Sequence, residues 1–216
     1  MIVTNPPFGG EEEKGIQGNF PEDRQTSETA LLFLQLIMRK LHRSPTLVGR
    51  PARAAVVVPN GTLFGDAVCA RIKEELLKEF NLHTIVRLPN GVFAPYTGIP
   101  TNVLFFDRSG PTRDVWYYEQ PKRSDGSNYT KSRPMQFDEF TECIAWFKRR
   151  VENNRAWKLS VDELLASGCN LDRRNPNAAE DLQHLPPGTL AANIREKEEH
   201  ILGIMSKIHS LLGKTK

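Results

Sequence analysis

Five apolar residues, Ala54-Ala55-Val56-Val57-Val58, stand between Arg53 and the breaker Pro59-Asn60-Gly61. The run is too short for a stable helix, ends on three β-branched residues and stops at a turn signal. It reads as a parallel strand covered on both faces. Its neighbours fix the fold class. Before it, a helix begins near Thr26 or Ser27, either able to cap it, and runs to His42. Its apolar positions from Ala30 to Leu41 leave little polar face, so it is expected to be heavily buried. After it, a second helix is expected over 66–80, with Val68, Ile72, Leu76 and Leu77 on one stripe. Further strands are expected at His83–Leu88, ending on Pro89-Asn90-Gly91, and at Thr101–Phe106. Strand and helix alternate, which implies right-handed crossovers and a mostly parallel sheet in an α/β fold. The short Val115–Tyr118 strand comes after a Gly110-Pro111 turn. It is expected to form an antiparallel edge hairpin with Thr101–Phe106.

The rest of the chain divides by composition. Met1–Thr4 reads as a short strand that opens the chain with nothing before it to pair with. The expectation is a fragment, or a sheet whose earlier strands come from another chain; an edge strand at a true terminus is the alternative. Residues 9–23 read as a long glycine-bearing loop with Glu11, Glu12 and Glu13. Pro121–Pro134 is polar and carries Lys122, Arg123, Lys131 and Arg133, an expected exposed basic loop. A helix is expected over 137–150. Ser160-Val161-Asp162-Glu163 is a capping box for a short helix closed by Gly168. The tail from Leu190 to Leu212 is helical by pattern: Ile194, Ile201 and Ile208 lie seven apart, and Leu190, Ile204 and Leu211 complete a seam interrupted by Lys197. These shifts suggest three segments, 1–120, 121–188 and 189–216.

Composition excludes several classes. The 216 residues are 39% hydrophobic and 25% charged, ordinary for a globular chain and unlike a disordered tail or a fibre. No stretch approaches 18 consecutive apolar residues, so no membrane span is expected, and the N-terminus has no signal-peptide pattern. Cys69, Cys143 and Cys169 are odd in number and not spaced as C-x-x-C, which fits a reducing cytoplasm. His42, His83, His184, His200 and His209 form no ligand spacing, so no metal is expected. A net charge of +3 permits a nucleic-acid partner without demanding one.

The chemistry concentrates at Asn5-Pro6-Pro7-Phe8. Two prolines fix their backbone φ angles, so the turn is rigid. It presents the Asn5 amide and the Pro6 carbonyl as two fixed acceptors, matched to the two hydrogens of an exocyclic amine or an amide. Phe8 adds a flat surface for a planar group. Two acceptors draw an amine out of conjugation with its ring and free its lone pair for methylation, so positioning and electrostatics carry the catalysis. The turn also stands after an apolar strand, where open α/β sheets place their ligands.

Taken in order, Asn5–Phe8, the helix to His42, Arg53–Gly61 with Leu63-Phe64, Leu82–Phe93 and Thr101–Phe106 resemble the modification (M) subunit of type I restriction-modification systems. The resemblance is close over 1–120 and looser beyond. It implies a partial S-adenosylmethionine-dependent methyltransferase sheet, Rossmann-like, with a C-terminal helical tail. It also implies site-specific adenine-N6 methylation of double-stranded DNA, in the cytoplasm, with the flipped adenine held by Asn5, Pro6, Pro7 and Phe8. By resemblance to related adenine methyltransferases, Phe93 sits on the loop closing the base's other face, with a core anchor for that loop as the alternative; Tyr96 is a similar candidate. Thr101 and Asn102 read as structural. Lys122, Arg123, Lys131 and Arg133 would meet DNA phosphates, or form a solvated loop. The tail would dock on the specificity (S) subunit, in an assembly open also to the restriction subunit, or fold back on its own domain.

One departure matters. The family's glycine-rich cofactor loop comes after the first strand of the full domain, and both would precede Met1. Gly9-Gly10 and Gly15-x-x-Gly18 lie beyond the Asn-Pro-Pro-Phe turn and do not sit between a strand and a helix. The main S-adenosylmethionine site is therefore expected upstream of Met1, and the chain alone is expected to be inactive. Two other readings stand: a protein-glutamine methyltransferase, whose substrate offers the same two hydrogens, and a non-catalytic module docking on a specificity subunit.

Overall fold

The computed structural model describes residues 1–43, 45, 49–65, 67–123, 125–178 and 187–212. Asp66, the expected start of the second helix, and His184 lie outside them, as does the side chain of Leu211. Contacts divide the chain into two compact units, Met1–Ala178 and Ala179–Lys216.

In the first unit six described strands form one sheet: β1 (Ile2–Thr4), β2 (Arg53–Pro59), β3 (Asn81–Arg87), β4 (Thr101–Asp107), β5 (Asp114–Glu119) and β6 (Ala156–Ser160), in the order β1-β2-β4-β3-β5-β6. β1 pairs parallel to β2, and β3 parallel to β5. β4 runs antiparallel between β2 and β3, and β6 is antiparallel to β5. The parallel strands β1, β2, β3 and β5 thus end on one side of the molecule, where β4 begins.

The expected β4–β5 hairpin does not form. β4 is a central strand, paired along its whole length with β2 from Arg53↔Asp107 to Pro59↔Thr101. The connector 108–113 instead steps over the start of β3 to reach β3's far side. Two strand spacings are about 10 Å, beyond a two-residue turn and within reach of six residues. Thr112 pins the crossing: its N–H donates to Leu77 O at 2.9 Å, its hydroxyl donates to Phe80 O at 2.7 Å, and its Oγ1 accepts from Leu82 N at 2.9 Å. β6 is a strand that the sequence pattern does not single out. It draws the segment after 121 into the same sheet, and its Trp157 stacks flat on Tyr117 of β5, centroids 5.0 Å apart.

Helices α2 (Thr29–Lys40) and α3 (Val68–Glu79) cover one face of the sheet. Leu31, Leu34 and Met38 of α2 and Ile72 and Leu76 of α3 are buried against Val56, Val58 and Leu104. Each such side chain contributes about 1.5–3 kcal/mol by leaving water. Arg108 closes the far end of α2, donating to the orphan carbonyls of Leu41 at 3.0 Å and Met38 at 2.9 Å while its guanidinium lies 4.2 Å from the Phe80 ring centroid.

On the opposite face α4 (Thr141–Lys148) packs Cys143 and Trp146 on Val86 and Tyr118. The expected helix over 137–150 is therefore a 3-10 turn, Phe137–Phe140, leading into a shorter α4. On this face Ala55 and Val57 of β2 are only half-buried, so within the described residues the strand is fully covered on one side alone.

The loop expected over 9–23 contains a helical turn, α1 (Lys14–Gln17), and a 3-10 turn, Glu22–Arg24. α5 (Val161–Ala166) starts as its capping box predicts, with Ser160 Oγ accepting from Glu163 N at 3.3 Å. The second unit holds α6 (Pro187–Leu212). No helix is long and apolar enough to cross a membrane among the described residues.

Candidate functional site

The Asn5–Phe8 turn leaves the C-terminal end of β1, whose Thr4 is in register with Val56 of β2. Pro6 is buried and Asn5 and Pro7 are exposed, so one proline anchors the turn while the amide faces outward. The segment from Gly10 to Thr29 locks the turn in place. The Gly10 carbonyl accepts from Thr29 N at 3.4 Å, Glu12 N donates to Ser27 O at 2.8 Å, and Thr29 Oγ1 donates to Glu12 Oε1 at 3.1 Å. The turn is thus clamped between the end of a strand and the first turn of α2. Neither the Asn5 side chain nor the Pro6 carbonyl makes a hydrogen bond among the described residues.

Asn5–Phe8 line a cleft of about 600 Å³ together with Phe93, Tyr96 and Ile99. The sequence-derived candidates Phe93 and Tyr96 are therefore brought to the same place as the turn from a distant stretch of the chain. Phe93 rides on a loop wound tightly after Gly91 (φ +82): Ala94 N donates to Gly91 O at 3.0 Å, and Tyr96 N donates to Phe93 O at 2.9 Å. Phe93 packs edge-to-face on Phe8, centroids 4.9 Å apart. Tyr96 is 83% exposed and stands at the rim.

The four basic candidates separate. Arg123 is built into a folded loop: it donates to Pro134 O at 2.6 Å, pairs with Glu139 at 3.5 Å and lies 4.5 Å from the Tyr129 ring centroid. Glu139 is the hub of this loop, accepting also from Gln136 N and the Tyr129 hydroxyl, each at 2.7 Å. These donors hold its carboxyl below the usual range, the Gln136 N–H most. Arg133 pairs with Asp125 at 3.0 Å. Lys131 is exposed in a shallow cleft beside Ala94 and Pro95, next to Phe93 in the chain. Lys122 is exposed at the edge of a second cleft. Neither lysine makes an ion pair among the described residues.

A network with no signature in the sequence lies under that second cleft. Asn102, 1% exposed, donates to Asn60 Oδ1 at 3.0 Å; Asn60 donates to Asp172 at 3.1 Å; Arg87 donates to the same carboxylate at 2.7 Å and to Arg173 O at 2.6 Å. Asn102, read as structural, does hold two strand ends together. Arg87 and Asp172 carry no local signal, because 85 positions separate them.

Among the described residues, Gly9, Gly15 and Gly18 do not form a glycine turn between a strand and a helix. A Cβ at Gly9 or Gly15 meets nothing within 4 Å, and Gly15 and Gly18 belong to α1 and its end. The described residues do not place three or more His, Cys, Asp or Glu side chains to hold a metal. Cys69, Cys143 and Cys169 are buried, and none is in a disulfide among the described residues.

In α6 the side chains of Leu190, Ile194, Ile201, Ile204 and Ile208 are 43–58% exposed, an apolar row broken at Lys197.

The chain is 49% identical over 220 residues to the methylase subunit of the type I restriction enzyme EcoEI from Escherichia coli, covering 99% of this chain and 43% of that protein. Among solved structures it is similar to a modification subunit assigned to a type I restriction enzyme from Vibrio vulnificus YJ016, with 61% identity, TM-score 0.77, and coverage of 85% of this chain and 40% of that one. A chain from a structure describing assembly and conformational transition of a type I restriction-modification system matches with 39% identity and TM-score 0.73, covering 100% of this chain and 45% of that one. The chain thus spans less than half the length of these relatives. The N-6 DNA Methylase family model matches residues 1–184, from the Asn-Pro-Pro-Phe turn through the whole sheet, and the chain belongs to that family.

Proposed function

We propose that this chain is the adenine-gripping part of an S-adenosylmethionine-dependent DNA adenine-N6 methyltransferase, the modification subunit of a type I restriction-modification system working in the cytoplasm. One observation carries the reading: two hydrogen-bond acceptors without intramolecular partners, Asn5 Oδ1 and the Pro6 carbonyl, stand on a clamped turn beside an aromatic pair. An adenine flipped from the duplex donates its two N6 hydrogens to them and lays its ring on Phe8. Held so, the amine is drawn out of conjugation and its lone pair is exposed. Lys131 and Lys122 neutralise phosphates on either side of the base, while Arg123 and Arg133 shape the loop through their ion pairs.

S-adenosylmethionine supplies the methyl group in this family, and we place its main cradle outside the described residues. Calorimetric titration of S-adenosylmethionine into the purified chain tests that placement: no heat is expected at millimolar ligand, and micromolar binding overturns it. The substrate is tested with the full-length subunit carrying this segment. Methyl transfer to adenine in DNA, lost in Asn5→Ala, is expected; transfer to a glutamine peptide instead overturns the reading.

The apolar row on α6 supports a second role, docking on a helix of the specificity subunit in a complex that also takes the restriction subunit. Ile at three positions seven apart, with Leu190 and Ile204 completing the row, is a seam that packs on a partner helix. Removal of 187–212 is expected to abolish co-purification with the specificity subunit.

A further inference from the structure

We infer that the second cleft, between the ends of β2, β3, β4 and β5, is a nucleotide subsite that takes one flanking nucleotide of the DNA strand carrying the flipped adenine. The inference rests on the adenine reading above and adds a site to it.

Topology places the cleft. β1, β2, β3 and β5 end on the same side, so Asn60, Asn90 and Gln120, which come after β2, β3 and β5, open on the side where Asn5 comes after β1. In the strand order β1-β2-β4-β3, β4 and β3 lie two and three positions from β1. At about 4.8 Å per strand that is roughly 10–14 Å, or three to four steps of a DNA strand at about 3.4 Å each. A strand that delivers its base to Asn5 and runs along the sheet end reaches this cleft.

The chemistry fits a nucleotide. The cleft encloses about 410 Å³, within the range for small-molecule sites. Pro89 and Pro100 give it apolar walls on which a base can lie. Two nearly buried amides line it: Asn102, 1% exposed, and Gln120, 5% exposed. Their amide nitrogens are committed, Asn102 Nδ2 to Asn60 Oδ1 at 3.0 Å and Gln120 Nε2 to Glu139 O at 2.7 Å. Gln120 Oε1 is buried without a hydrogen-bond partner among the described residues, and Asn102 is left with its amide oxygen as the group not committed to Asn60. A buried acceptor without a donor is costly, and a base amino group supplies the donor. Lys122 at the edge supplies the charge for the phosphate. The amides cannot rotate away, because the Asn60–Asp172–Arg87 network below and the Glu139 hub beside them fix both.

The test is a titration of the labelled chain followed through the side-chain amide resonances of Asn5, Asn102 and Gln120. The probes are adenosine and a single-stranded DNA decamer with one central adenine. Adenosine is expected to move Asn5 alone. The decamer is expected to move all three and to bind roughly ten-fold more tightly, with most of that gain lost in Lys122→Ala, a surface change that leaves the fold intact. A decamer that moves Asn5 but leaves Asn102 and Gln120 in place, with equal affinity in Lys122→Ala, overturns the subsite while the adenine reading stands. No movement of Asn5 with either probe overturns the adenine reading, and the subsite with it.

Discussion

Phe8 and Phe93 meet edge to face, their ring centroids 4.9 Å apart and their planes at 72°. A base sandwiched between two rings needs them parallel and about 7 Å apart, twice the stacking distance of about 3.4 Å. The pair as it stands fills the space that a base would occupy. Under the proposed adenine reading, Phe93 swings out with its loop to admit one. The loop is built for that: it hangs between Leu88 and Thr101, which are joined by a backbone hydrogen bond of 3.0 Å, and its tip is held by turn bonds within itself. Phe93→Ala in the full-length enzyme is expected to weaken capture of the flipped base about 5- to 140-fold, the worth of one base–aromatic stack. The readout is the fluorescence of 2-aminopurine placed at the target, whose rise on flipping is expected to need more enzyme in the variant. An unchanged titration would make Phe93 an anchor of the loop only.

In the proposed reading, Asn5 supplies one of the two acceptors for the amine. Asn5→Ala removes one of two acceptors aimed at the amine, and a donor or acceptor of this kind is worth about 10²–10³ in rate. Methyl transfer in the full-length enzyme is expected to fall by that factor with little change in duplex binding, which the phosphate contacts dominate. Asn5→Asp keeps an acceptor oxygen at the same place and is expected to retain more activity than Asn5→Ala. Equal activities of the two variants would remove the acceptor role.

Much of this site was legible in the sequence because its parts are local. Two prolines make a rigid turn wherever they occur, and an apolar strand before them puts it at a sheet end. The strand positions and the core helices α2 and α3 emerge from runs of apolar residues in the same way. What was not legible depends on contacts between distant residues. The Val115–Tyr118 strand pairs with β3 rather than β4, because a connector of six residues is long enough to step over a strand and Thr112 ties it there. Arg123 and Arg133 read as free charges until Glu139 and Asp125 are seen opposite them. Asn60, Arg87 and Asp172 come from three segments and meet only once the sheet has formed.

His83 gives the fold a pH dependence. It is largely buried in the sheet, its Nδ1 in contact with the Thr84 hydroxyl at 2.9 Å and the Arg150 guanidinium at 3.0 Å, with the Phe147 ring edge-on at 6.0 Å. Burial, and secondarily the Arg150 charge, push its pKa down to about 4. The unfolded chain titrates near 6.5 and so binds more protons than the folded one between these values. Stability from this group is complete above pH 6.5 and falls as the pH drops toward 4, by an amount on the order of 2–3 kcal/mol. Urea unfolding at pH 7 and pH 5 is expected to show this loss, and His83→Gln, which cannot titrate, is expected to flatten it. A variant with the same acid slope as the parent would assign the slope to other groups.

Gly10 links the stability of the turn to its chemistry. Its φ of +126 lies where only glycine is at ease, and a Cβ there would stand 3.0 Å from Thr29 Oγ1, the hydroxyl that donates to Glu12. Gly10→Ala therefore strains the backbone and pushes on the clamp between the Asn-Pro-Pro-Phe turn and α2. The strain is about 1–3 kcal/mol, which for a unit of this size lowers the melting temperature by roughly 2–12 °C. The displacement is expected to act further on Asn5, a short way upstream, since the clamp is what fixes the turn's exit. Methyl transfer by the full-length Gly10→Ala enzyme, measured well below its melting temperature, is expected to fall while DNA binding holds. In the double variant Thr29→Ala with Gly10→Ala, which removes the opposing hydroxyl, part of that activity is expected to return. Recovery of melting temperature without recovery of activity would show that the clamp stabilises the fold but does not position Asn5.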